Sequence, residues 1–298
     1  MAQLSFKPSA RTISRFLGYG LFGLVCVIVL LVLTFPYASL ESRLEHEMSL
    51  RTGLPADIEN LGYGFPLGLS FDALSLPLKI PEGKTRTLHL ESGRLALNPF
   101  LPFINTVKAT LESNVLNGRL ELQVTTRALP PRDFVSVATN LESVALSQLD
   151  WLWSRHPGLT SFQGHISGQA ALTVAGSTLT ECEGSGQLEL DQAAADVSIS
   201  GLSPVSLESL AGKANWKLEQ GTLHINRCDL QGQGVQGDIH GRIALDPQLG
   251  RSRLDLKGRL SVSQAQPQLY AMARQTWKAR EKGFTLMGTT HSPMFRFE

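Results

Sequence analysis

Two periods divide this chain. Residues 16–35, FLGYGLFGLVCVIVLLVLTF, carry no charge and no polar stripe. A core helix of this length normally keeps one wet face, so an unbroken apolar run of twenty predicts a helix lodged in lipid. At ~1.5 Å per residue it spans about 30 Å, the thickness of a hydrocarbon core. The run exceeds a signal-peptide h-region, and no small-x-small cleavage site follows it, so the anchor is expected to be retained. Leu40, Leu44 and Met48, set among Glu41, Arg43, Glu45 and Glu47, then predict an amphipathic stalk over 36–60.

Beyond residue 60 the period falls to two. Leu74, Leu76 and Leu78 alternate with Ser75, Pro77 and Lys79. Leu120, Leu122 and Val124 follow the Asn117-Gly118 turn, and Ala214, Trp216 and Leu218 precede a Gln220-Gly221 turn. Many short alternating runs split by glycine predict a long, curved antiparallel sheet with one dry face. Gly-x-apolar-x-apolar recurs at Gly93, Gly118, Gly168, Gly186, Gly221, Gly241 and Gly258, without the fixed spacing of a propeller. Helical interruptions are expected near 133–153, where Phe134, Val137, Leu141, Val144 and Leu149 step by three and four, and near 266–281, with Leu269, Met272, Ala273 and Trp277 on one face. A last strand is expected over 284–297. The fold class is therefore mainly β: a single membrane helix, then a β-rich domain over 61–298 with few helices.

Charge supplies direction. Lys7, Arg11 and Arg15 precede the run with no acidic residue among them, and acidic residues crowd the sequence just after it. The positive-inside rule places residues 1–15 in the cytoplasm and the rest across the membrane. Of 27 Lys+Arg, the other 24 face 26 Asp+Glu, so no basic stripe points to nucleic acid.

The chemistry is sparse. Cys26 lies in the apolar run. Cys182 and Cys228 lie in the exported part, where an oxidising compartment allows a disulfide between them if their strands are neighbours; two buried thiols is the other reading. Gly232, Gly234 and Gly237 spell a dinucleotide fingerprint, but a strand-like run follows where a phosphate-binding helix must start. His224 and His240 lie in adjacent expected strands without a carboxylate in register. Trp151 and Trp153 read as plugs at a sheet end. Acidic residues show no catalytic pairing. No catalytic residue, metal ligand or cofactor site is assigned, and an enzyme is not expected.

The blocks SFQGHISGQAALTV (161–174), KANWKLEQGTLHINRCDLQGQGVQGDIHGRIALD (213–246) and SRLDLKG (252–258), with the ending Gly288-Thr289-Thr290-His291-Ser292-Pro293 before Phe295, stand in an order that resembles the type II secretion system protein N family. Thr290 departs from the leucine of that family's closing Gly-Thr-Leu-x-x-Pro strand. The resemblance implies an inner-membrane anchor, a periplasmic domain, and other secretion components as partners. The same features resemble AsmA-like proteins, which implies a groove that holds phospholipid.

Overall fold

The computed structural model describes residues 19, 22–23, 26–27, 29–30, 32–65, 68–79, 85–97, 106–127, 135–149, 159–174, 181–198, 205–276 and 281–297. Fifteen strands form one antiparallel sheet. From β3 (Gly68–Lys79) onward, each strand pairs with the next in sequence: β4 (Thr85–Leu97), β5 (Thr106–Val115), β6 (Gly118–Arg127), β7 (Val135–Ala145), β8 (Leu159–Val174), β9 (Cys182–Val197), β10 (Val205–Glu219), β11 (Thr222–Gly232), β12 (Val235–Ala244), β13 (Arg253–Val262), β14 (Glu281–Thr289) and β15 (Pro293–Phe297). The short β1 (Asp57–Glu59) and β2 (Gly62–Gly64) both pair with β3. A twist of ~20–25° per pair accumulates to roughly 300° across the sheet. Among the described residues no second sheet lies on it. The accessible surface is 20146 Å², against about 12,400 Å² for a compact protein of 32.5 kDa.

The strands run through 10 to 16 residues from β3 to β13, longer than the alternation suggests. Bulges explain the difference. Ser92, Ser143, Gln192 and Ser209 take φ near +50°, and the register slips beside each of them. A bulge flips the phase of the alternation without ending the strand.

The same effect corrects the helix expected over 133–153. Residues 135–145 form β7, with Val135, Val137, Thr139 and Leu141 on one face; the bulge at Ser143 then returns Val144 to that face. The slip imitates a three-residue step, and the β-branched residues suit a strand. One turn of 3₁₀ helix, Leu146–Leu149, follows. Trp151 and Trp153 lie outside the described residues. The expected last strand is in fact the β14–β15 hairpin, closed where Thr289 and Ser292 exchange backbone hydrogen bonds. The helix expected over 266–281 spans Pro267–Thr276, and Glu281 already belongs to β14.

Within residues 36–60, expected as stalk and linker, the chain lies against the sheet. Helix α1 (Tyr37–Thr52) ends at Gly53, whose left-handed φ of 68° lets its N–H bond back to the Ser49 carbonyl. Leu40, Leu44 and Met48 pack against a cluster that includes Ile58, Leu61, Phe71 and Leu74. Three side chains of α1 then accept backbone N–H groups from the chain beside β3: Glu41 from Leu61 (3.0 Å), Glu45 from Ile58 (2.9 Å) and Ser49 from Ala56 (3.1 Å). These donors have no strand beyond them, so α1 covers one edge of the sheet. The second helix, α2 (Pro267–Thr276), buries Ala273 completely.

Among the described residues no helix is long and apolar enough to cross a membrane. Of residues 16–35, those described before Phe35 are helical. Tyr19, Phe22, Leu30 and Leu33 stand exposed, and the Thr34 hydroxyl donates to the Leu30 carbonyl at 2.7 Å. The remainder of that span lies outside the described residues.

A candidate apolar binding face

Because neighbouring strands are in register, alternation within each strand becomes rows across the sheet. One row runs from Leu111 through Leu122, Thr139, Ala170, Gly186 and Trp216, and on through Ile225, Gly241, Leu256 and Leu286 to Phe295. A second joins Val124, Val137, Leu172, Gly184, Leu218 and Leu223, and reaches Ile243 and Leu254. A third joins Leu120, Leu141, Gly168, Leu188, Ala214 and Cys228, then Ile239, Gly258 and Phe284. None of the three contains a charged residue. With strands ~4.8 Å apart, eleven strands give a strip about 48 Å long, and three rows give it an area on the order of 1,000 Å². Typical monomers keep their largest apolar patch to about 300–600 Å².

The face is not evenly filled. Buried apolar residues gather at the bulged ends of the strands (Leu90, Val115, Val144, Ala193, Leu210, Val235 and Val262), and Leu218, Leu256 and Phe284 are buried within the rows themselves. Towards the opposite ends, Val107, Val124, Val137, Leu172 and Val174 are only half-buried, and Leu97 is exposed. At the bulged end α1 packs against the cluster of Leu90, Val115 and Val144, and α2 touches β13; among the described residues the other end has only its strand neighbours. The polar positions between are mostly exposed, as the alternating pattern of β10 shows.

Glycines set the depth of the face. A Cβ on Gly186 would stand 2.5 Å from the Trp216 ring, one on Gly258 2.6 Å from Phe284, and one on Gly184 2.6 Å from Leu172. Large side chains thus lie down over neighbouring backbone and leave a shallow, continuous floor. At the far edge Phe284 and Phe295 stack at 5.0 Å, and Phe295 meets Phe297 edge-on at 4.8 Å.

The opposite face is built from ions: Lys213–Glu189 at 2.8 Å, Arg242–Asp255 at 3.2 Å, Arg259–Asp238 at 3.2 Å, and Lys217–Glu219. Hydrogen bonding to Glu189 and its charge raise the Lys213 pKa. At the bulged end Asp196 accepts from Ser161 and Ser206 at 2.6 Å each; those hydroxyls hold its carboxyl below the usual range. Hydrogen bonds to an ionised form have this effect.

The residues singled out in the sequence fall apart in space. No disulfide joins Cys182 and Cys228. They sit on β9 and β11 with β10 between, and register puts them six residues apart along the strands. That is roughly 20 Å along and 10 Å across, far beyond a bridge. Burial pushes the Cys228 thiol pKa up. His224 opposes Arg242 and not His240, which lies 3.9 Å from Asp238. Gly232 ends β11, Gly234 lies in the two-residue turn at φ 81°, and Gly237 lies within β12. Among the described residues no three His, Cys, Asp or Glu side chains gather as a metal site.

No protein-family profile matches the chain, and neither a curated protein nor a solved structure matches it.

Proposed function

We propose that this chain is an inner-membrane-anchored, non-catalytic component of the type II protein secretion apparatus, with its sheet in the periplasm, and that the sheet acts by holding apolar guests. The observation that carries the reading is the charge-free strip of register-aligned apolar residues, over whose open end no second layer lies among the described residues. Water against such a strip is costly, so a guest that replaces it gains the hydrophobic free energy, about 25 cal/mol per Å² covered. The apolar run at 16–35 supports the anchor, and the ordered motifs of 161–174, 213–246 and 252–293 support the secretion assignment.

A second reading is favoured by the same strip: an AsmA-like protein that binds or passes phospholipid. Acyl chains are unbranched, uncharged and long, and match a shallow floor without specific polar contacts.

Full-length protein purified in detergent, with its lipid extracted and quantified, tests the guest. Wild type is expected to retain phospholipid, and Leu188→Glu, which places a charge mid-strip, is expected to lose most of it. Equal lipid in both, with both folded, would remove the apolar-guest reading. Deletion of the gene with unchanged export of folded enzymes would remove the secretion assignment and leave the lipid reading standing.

A further inference from the structure

On the polar face we infer a second binding site, a recess for a neutral glycan strand, which does not depend on the apolar strip. Four carboxamides stand in direct register on consecutive strands: Asn140 opposite Gln169, Gln169 opposite Gln187, and Gln187 opposite Asn215. They border a recess of 530 Å³ whose other side is lined by the small side chains of Ala138, Ala171 and Ser185.

Ladders of Asn and Gln across a sheet ordinarily bond to one another. This one does not. Asn140 donates to Glu142 at 3.1 Å, and among the described residues no side-chain hydrogen bond engages Gln169, Gln187 or Asn215. Gln169, Gln187 and Asn215 are exposed and each keep two donors and an acceptor oxygen, and Asn140 keeps one donor and its oxygen. Lysines flank the row on both sides of Asn215, Lys213 held by Glu189 and Lys217 by Glu219, so the amide row is a neutral lane between paired charges.

The chemistry narrows the ligand. An anion or a nucleic acid needs spare cations, and the nearby lysines are already paired. An extended peptide pairs its backbone with an edge, and this row lies mid-sheet. A hydroxyl both donates and accepts, as a carboxamide does. Successive sugars of an extended β-1,4-linked glycan are spaced slightly wider than the ~4.8 Å between strands, so over a row of four one sugar meets about one amide. Glu121, opposite Asn140 at the end of the row, adds an acceptor for hydroxyl or acetamido hydrogens.

Full-length protein in lauryldimethylamine oxide micelles, a detergent without sugar, is titrated with chitohexaose and followed by saturation-transfer difference NMR. Saturable binding is expected, weak because exposed hydrogen bonds each contribute little. Q169A/Q187A is expected to bind about tenfold more weakly or worse, Asn215→Ala to weaken binding alone, and Arg296→Ala, at the far edge, to leave it unchanged. Absence of saturable binding in wild type overturns the site. So does wild-type binding by both amide variants once thermal melts show them folded, or an equal loss in Arg296→Ala.

Discussion

At Gly186 the sheet admits no side chain. Its place beneath Trp216 and beside the Gln169 carbonyl, 2.8 Å from a built Cβ, means that a larger residue must lift the indole or spread β8 from β9. Gly186→Val is therefore expected to cost about 1–3 kcal/mol, the range for overfilling a packed site. Gly237 lies on the same face, but its nearest contact to a built Cβ is 3.4 Å, and Gly237→Ala is expected to melt close to wild type. Thermal unfolding of the two variants side by side reads the difference. Ser113 shows the converse case. It is a hydroxyl 3 % exposed in the apolar layer, kept there by donating to the Glu91 carbonyl at 3.0 Å, one of the backbone groups freed where β4 bulges.

Among the elements, α1 has the clearest separable role. Glu41 and Glu45 reach past their own helix to cap two edge amides. Charge-assisted bonds of this kind are stronger than neutral ones. In Glu41→Ala/Glu45→Ala the amides of Ile58 and Leu61 are expected to exchange at least roughly tenfold faster, while the amides of β8 and β9 keep their protection; hydrogen exchange read by mass spectrometry resolves the two regions. The strands themselves were legible because Leu, Ile and Val alternate over most of their length. What escaped was the phase slip. Ser143, Gln192 and Ser209 carry positive φ without being glycine, so nothing in their side chains marks a bulge, and β7 imitates a helix. The apolar strip was legible as alternation, since period two alone commits Ala170 and Leu172 to one face of β8, and Leu188 and Leu190 to one face of β9. The carboxamide row was not, because Gln169 meets Gln187 only through a register that depends on those bulges and on turn lengths. The separation of Cys182 from Cys228 was hidden for the same reason: it depends on which strand lies between.

For the whole molecule the governing fact is the strand order, which from β3 onward follows the sequence without a crossover. Each strand's ladder partners are its neighbours along the chain, as in repeat arrays, where stability is a sum of local and nearest-neighbour terms. Among the described residues the buried apolar clusters are separate, one beside α1 and one around Ala193 and Leu210, so no central nucleus joins all the strands. Pulled from its carboxyl end in an optical trap with the amino end held, the protein is expected to peel like a zip. β15 should leave first, its 5 residues paying out roughly 17 Å, then β14 and the longer strands, each 10 residues paying out roughly 35 Å, in place of the single large rip of a compact domain. The resting protein can thus give way at its rim while the end beside α1 stays folded, and a load arriving there would be absorbed as graded lengthening.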